Sequence, residues 1–315
     1  MGHTIGVDIG GTKVAGGVVD ETGQILARAR VETPAKDAEA AEDAIVAVVE
    51  KLRSDFEIDA VGLGIAGFVD EARSRVYFSP NLPDWHNEPV RDDVSRRVGL
   101  PVVVENDANA AAWGENRFGA GREETDLVCV TVGTGIGGGI VVEDRLYRGR
   151  FGIGGEIGHM QVVADGRLCG CGQRGCWEQY ASGNALVRDA RERAAESRSE
   201  ASVLLRMGDG TPEMITGRHV TEAARLGDEV ALAAFATVGR WLGQGLADLV
   251  AVLDPGCFII GGGVSEAGEL VLAPAREAFE LLLTGRDIRP VAQVVLAELG
   301  NDAGLVGAAD LARLI

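Results

Sequence analysis

Positive charge is scarce in this chain. Lys and Arg number 30 against 48 Asp and Glu, a net charge of −18. A surface of that sign repels nucleic acid and anionic membranes, so neither is expected as a partner. It leaves small anionic substrates open, because local backbone amides override a global field. Cysteine is scarce too, at five in 315 residues, and histidine is limited to positions 3, 86, 159 and 219. The opening MGHTIGVDIGG lacks a basic-then-apolar leader and enters a strand pattern at once. A cytoplasmic location is the expectation. There structural disulfides are rare, and clustered thiols point to metal or catalysis. One segment, 230–255, is strongly apolar. Arg240, Gln244 and Asp248 recur along it at four-residue spacing. That marks one polar face, so a buried core helix is expected rather than a membrane span.

Glycine is abundant. The 45 glycines are about twice the usual share of roughly 7%. They cluster at 10–11, 133–139, 152–158, 170–175 and 261–263 and punctuate apolar runs. They read as tight turns that let backbone approach a ligand.

The chain is long enough for two domains. Its opening reads strand, turn, strand, turn, strand, followed by a helix over 37–54. Residues 60–67 and 101–107 read as strands, and an Ala-rich helix ends at Gly119. LVCVTVGTGIGGGIVVED (127–144) then repeats the pattern of IGVDIGGTKVAGGVVDE (5–21). Residues 145–180 show few clear elements. Helices are expected at 181–197, 218–226, 229–253, 266–284 and 303–315, with strands at 257–263 and 292–299. Two related α/β domains follow from this order.

Two stretches, Gly62–Gly67 and Gly133–Gly138, match the spacing G-x-G-x-x-G. The first is followed by sequence that is not helical and the second by a strand, so neither fits a dinucleotide fold. Neither ends in the Lys-Ser/Thr of a Walker loop. Instead Asp8, Gly10, Gly11, Thr12 and Lys13 offer a carboxylate, amides, a hydroxyl and an ammonium in six positions. The amides and hydroxyl suit phosphate oxygens, Lys13 offsets their charge, and Asp8 suits the accompanying Mg2+. Gly133, Thr134 and Gly135 repeat the uncharged part. A plain hairpin turn is the alternative for each copy.

Glu105-Asn106-Asp107 ends a strand and opens a helix. It suits an N-cap, and equally a general base at a strand end. Asn81, in a turn-rich loop, means only a turn. His159 shortly precedes Cys169, Cys171 and Cys176, which together make a Cys3His zinc set. Unpaired thiols and a redox pair are the alternatives. Cys-x-x-Cys is absent, and ligand number favours zinc. Cys129 and Cys257 lie in apolar runs and read as core.

Together these residues resemble the ROK family of sugar kinases and repressors, and within it the bacterial ATP-dependent glucose kinases. The matching stretches are DIGGTK (8–13), ENDANAAAWGE (105–115), GTGIGGG (133–139), EIGH (156–159) and CGCGQRGCWEQYASG (169–183). The resemblance covers essentially the whole chain, and the cysteine loop is its most specific part. It implies an actin-like, ribonuclease H-like duplicated α/β fold with sugar and ATP in an interdomain cleft. The expected division is a small domain of 1–112 plus 301–315 and a large one of 113–300. It implies ATP-dependent phosphorylation of glucose at the 6-hydroxyl, with Asp107 as base. Gly67, Asn81, Asn106, Glu156, His159 and Glu178 resemble ring-hydroxyl ligands. Asp8, Gly10, Gly11, Thr12 and Lys13 resemble the first phosphate loop, Thr134 and Gly135 the second, and Gly262 and Gly263 the adenosine turn. His159, Cys169, Cys171 and Cys176 resemble a structural zinc site. A homodimer or homotetramer is implied. Ala66 departs from the Pro that many relatives carry there. Other hexoses, or polyphosphate as donor, are alternatives. A sugar-responsive regulator is another, opposed by the charge and by a first phosphate loop beginning at residue 8.

Overall fold

The computed structural model describes residues 2–35 and 37–315. The chain begins with strands β1 (His3–Ile9), β2 (Lys13–Val19) and β3 (Ile25–Glu32), then helix α1 (Ala38–Arg53) and β4 (Ile58–Ile65). Short strands β5 (Phe68–Val69), β6 (Val76–Phe78) and β7 (His86–Glu88) follow, then α2 (Val90–Val98), β8 (Val102–Asn106) and α3 (Asp107–Phe118). A second series opens with β9 (Leu127–Val132), β10 (Ile136–Val142) and β11 (Arg145–Tyr147). Helices α4 (Glu178–Ala181), α5 (Gly183–Glu196), α6 (Ser202–Met207), α7 (Gly217–Arg225) and α8 (Glu229–Leu253) come next. β12 (Cys257–Gly261), α9 (Glu269–Leu282), β13 (Gln293–Leu296) and α10 (Ala303–Ala312) complete it.

The repeat read from the glycine turns extends to whole sheets. One five-stranded sheet has the order β3-β2-β1-β4-β8 and another β11-β10-β9-β12-β13. In each, a meander of three strands is followed by two added beyond the first. β1 pairs antiparallel with β2 and parallel with β4, and β4 pairs parallel with β8. The remaining short strands form a sheet β5-β6-β7. This sheet, α2 and α6 are short and are absent from the sequence reading. α2 buries only Val90, Val94 and Val98.

The chain divides into two compact units. The first is Met1–Cys129, Gly138–Gly155 and Ala297–Ile315, and the second is Val130–Gly137 and Glu156–Leu296. The sequence boundaries at 112/113 and 300/301 differ from this. α3 stays whole in the first unit because α10 packs along it.

In the first unit one face of the sheet meets α1 and α2 through Val, Ile and Leu, with Trp85 enclosed. The other face meets α10, where small residues bring backbones together. A Cβ on Gly6 would strike the Leu305 carbonyl, one on Gly62 that of Ala308, and one on Gly307 that of Ala110. These glycines, which lie outside the five clusters read as ligand-facing turns, serve helix packing. In the second unit α8 buries Phe235, Val238, Leu242 and Leu246 and packs on α9. Its Arg240 and Asp248 are exposed, as expected for a core helix with one wet face. Among the described residues no helix is long and apolar enough to cross a membrane.

Candidate active site

Register explains how distant residues meet in the first unit. β1, β4 and β8 are parallel neighbours, with Ile9 opposite Ile65 and Ile65 opposite Asn106. Their carboxyl ends therefore lie side by side, the edge of an open α/β sheet where ligands bind. From those ends project the turn 10–13, Gly67 and the Asn106–Asp107 junction. The Asn106 side-chain amide donates to the Gly67 carbonyl at 3.1 Å. Gly67 has φ +156°, and a side chain there would strike the Phe78 carbonyl. Asn81 lies against the first turn, since a Cβ on Gly11 would stand 3.4 Å from the Asn81 Cβ. Its sequence context shows only a turn; the long-range contact places it beside the turn 10–13.

The cap and base readings of 105–107 turn out to be compatible. Asn106 is the N-cap of α3, its side-chain oxygen accepting from the Asn109 amide at 3.0 Å. The Asp107 carboxylate is held by local backbone amides, accepting from Ala108 at 2.9 Å and from its own amide. Solvent still reaches Asp107 in part, but the protein around its carboxylate solvates the charge poorly and raises its pKa. Asp8 is pushed up to about 6, first by burial, then by the charge of Asp107, against the opposing pull of Lys13. In the turn itself, the Gly10 amide donates to the Lys13 carbonyl at 3.0 Å. Gly10 thus uses its own amide to close the hairpin, and its carbonyl accepts from the Thr33 hydroxyl at 2.7 Å.

The second unit holds the other predicted residues. Its glycine turn closes with the Gly133 amide on the Gly135 carbonyl at 3.0 Å, and the Gly133 carbonyl accepts from Gly183 at 2.8 Å. Gly262, with φ +80°, sits so close to Val132 that a Cβ would fall 2.6 Å from its carbonyl oxygen. A cavity of about 810 Å3 opens there. Thr134 and Gly263 line it. So do Gly183 and Asn184 at the start of α5 and Gly217 and Arg218 at the start of α7. Two helix N-termini suit an anionic ligand. The sequence reading misses these four residues, because helix starts carry no mark of what they face.

The cysteine segment is held by short backbone pairings. Gln161 bridges Cys176 and Leu168 bridges Arg174, and the Cys169 amide donates to the Gln173 carbonyl at 2.8 Å. Ligand atoms of His159, Cys169, Cys171 and Cys176 all lie within 4.8 Å of one another. Cys171 and Cys176 Sγ are 3.6 Å apart, and Cys169 Sγ is 3.7 Å from His159 Nδ1. Bonds of about 2.3 Å from a tetrahedral zinc to sulfur place neighbouring ligands at such separations. Burial pushes the Cys169 thiol up to about 12, and a cation bound there would favour its thiolate. The residues therefore fit zinc in both donor type and spacing.

This cluster joins the predicted sugar ligands of the unit. Cys169 Sγ lies 2.9 Å from Glu178 Oε1, and a Cβ on Gly135 would strike Glu178 Oε2. Glu156 opens the one-turn helix Ile157–His159, its carbonyl accepting from the His159 amide at 3.1 Å. His159 turns Nδ1 to the sulfurs, which leaves Nε2 for another partner.

A sheet built twice, with a glycine hairpin turn in each copy, defines an actin-like ATPase fold. Residues 4–314 match the ROK family, and the chain belongs to it. It is 57% identical to a Streptomyces coelicolor glucokinase, over 99% of this chain and 98% of that protein. A crystal structure of a ROK family glucokinase from Streptomyces griseus, in complex with glucose and AMPPNP, is 58% identical. It superposes with a TM-score of 0.91 over the full length of both chains. The ROK hexokinase of Thermus thermophilus is 36% identical, with a TM-score of 0.83, covering 99% of this chain and 98% of that one.

Proposed function

We propose that this protein transfers the γ-phosphoryl group of ATP to the 6-hydroxyl of glucose, with Asp107 as the general base. The observation that carries the reading is the Asp107 carboxylate just past the end of β8, without an ion-pair partner among the described residues and raised in pKa. A base of raised pKa accepts a proton more readily, which suits removal of a hydroxyl proton as oxygen attacks phosphorus. The likeness to glucokinases, one of them bound to glucose and AMPPNP, supports both substrates.

In this reading the nucleotide occupies the cavity lined by Thr134, Gly183, Asn184 and Gly263. Gly10, Gly11, Thr12 and Lys13 form the first phosphate turn, Thr134 and Gly135 the second, and Gly262 and Gly263 the adenosine turn. Asp8 would hold Mg2+, which when bound neutralises phosphate charge. Gly67, Asn81, Asn106, Glu156, His159 and Glu178 would bind the sugar hydroxyls. A pocket built from such polar groups rejects a sugar lacking a hydroxyl, because its own groups are left unpaired. His159, Cys169, Cys171 and Cys176 would hold structural zinc, which orders the segment carrying Glu178. We further assign the enzyme to the cytoplasm, and to a homodimer or homotetramer, the latter tested by light scattering of the purified protein.

The experiment is a coupled assay of several hexoses against ATP and polyphosphate, run on wild type and Asp107→Ala. Glucose with ATP should be the preferred pair. The variant should lose about 100- to 10,000-fold in kcat while still binding glucose. Turnover near that of wild type would overturn the base assignment, and preference for another pair would overturn the substrates.

A further inference from the structure

We propose that Glu105 is a positioning residue for the reaction, holding the strand-to-helix junction that aims Asp107 and Asn106. The inference rests on the reading of Asp107 as base. Glu105 is 1% exposed, near the end of β8 and directly after three valines. A carboxylate so enclosed is tolerated only when paired. Its Oε2 lies 2.8 Å from Arg148 Nε and 3.0 Å from Arg73 Nε. An apolar residue would fill a buried strand position at less cost than an ion cluster. Filling the core therefore does not account for the carboxylate.

The other oxygen does. Glu105 Oε1 accepts from the Asn106 amide at 2.9 Å and from the Asn109 side-chain amide at 3.0 Å. Asn109 in turn donates its backbone amide to Asn106, and Asn106 donates its side chain to Gly67. One buried carboxylate thus fixes the residues on both sides of Asp107. The bonds to the Asp107 carboxylate come from backbone amides of the junction itself, Ala108 and its own, so the backbone there sets where the carboxylate points.

The cations are anchored in their turn. Arg148 is itself buried, and its terminal nitrogens donate to the Glu71 and Asp70 carbonyls at 2.8 and 2.9 Å. Arg73 takes φ +53° in the tight turn between β5 and β6. That turn is folded by Asp70, whose carboxylate accepts from the Ser74 amide, the Ser74 hydroxyl and the Arg75 amide. The Arg73 carbonyl also accepts from Val104 on β8 at 3.2 Å. The small β5-β6-β7 sheet thereby acquires a task, presenting a guanidinium to the underside of the catalytic junction.

The test compares Glu105→Gln, Arg73→Met, Arg73→Lys and Asp107→Asn with wild type, reading kcat, KM for each substrate, the pH profile of kcat and Tm. Glu105→Gln keeps the shape and the Oε1 acceptor but sets an amide against the guanidinium groups. It should lower kcat about 10- to 100-fold, the scale of an ångström-level misplacement, with KM for ATP within about twofold. The limb of the pH profile that follows Asp107 should move. Arg73→Met should show a smaller loss of the same kind, and Arg73→Lys should restore part of it. Asp107→Asn reports on the base assignment alone, and normal turnover there overturns that reading. An inactive Asp107→Asn beside a Glu105→Gln within twofold of wild-type kcat overturns the positioning role. So does a loss that matches only the fraction of unfolded protein. If Glu105→Gln does not fold, Arg73→Met decides, and unchanged kcat and pH profile in it reject the proposal.

Discussion

Cys169 Sγ stands 3.7 Å from His159 Nδ1 and 2.9 Å from Glu178 Oε1. One sulfur therefore touches both a candidate zinc ligand and a candidate sugar ligand. Metal occupancy and sugar affinity should be linked through it. Purified protein should contain about one zinc per chain by elemental analysis. Cys171 is exposed, so Cys171→Ser removes a ligand with little repacking. It should lose zinc, and activity should fall about 10- to 100-fold. Full activity in zinc-free protein would show that the metal is dispensable.

Gly135→Ala tests the same wall from the nucleotide side. The added methyl would collide with Glu178 Oε2, so either the turn or the carboxylate must move. KM for glucose should rise about tenfold or more, the cost of disturbing one well-placed polar contact. Tm should change by only a few degrees. An unaltered KM would mean that Glu178 does not contact the sugar.

Asp8 and Asp107 raise a titration that can be watched directly. With Asp107 present, Asp8 has a pKa of about 6, above its ordinary 3.8. Removing the neighbouring charge in Asp107→Asn should lower it, and removing Lys13 should raise it. Carbon-detected NMR titration of the ligand-free protein measures both shifts. Because the folded value is raised, ionised Asp8 weakens the fold. That penalty is absent below about pH 4 and complete above about pH 6. A rise in Asp107→Asn, or a fall on removing Lys13, would exclude the assigned neighbours.

Glu42 provides a stability test remote from the site. It is 8% exposed, and its carboxylate oxygens lie within 4.8 Å of those of Glu88 and Asp93. Burial and these two charges push its pKa up to about 7, with Arg97 only partly offsetting them. The raised value again means a cost of ionisation, absent below about pH 4.5 and full above about pH 7. Glu42→Gln should therefore raise Tm at pH 8 and leave it unchanged at pH 4.5. Each kcal/mol recovered should move Tm by about 2–4 °C. A variant that is less stable at pH 8 would show that Arg97 outweighs the acidic neighbours.

Much of the site is legible locally. The thiols and His159 are close in sequence, so ligand number and spacing alone assemble the set. The two glycine turns repeat in matching contexts, and the sheets that carry them repeat as well. Helix ends are readable where a cap marks them, as at Asp37, Ser182 and Asp228. Asn81 is different, because only its contact with Gly11 distinguishes it from any turn residue. Asn184 and Arg218 are visible only once α5 and α7 start beside one cavity.

The sequence by itself determined the periodic elements, the hairpin turns, the zinc-ligand spacing and the order of the motifs. These depend on residues a few positions apart, which one strand, turn or helix brings together. Tertiary structure decided which strand ends adjoin, which glycines admit a helix rather than a ligand, and where the chain divides. It also brought Glu105 together with Arg73 and Arg148, which come from two distant segments. Those outcomes depend on parallel register and close packing between distant segments, which local spacing does not encode.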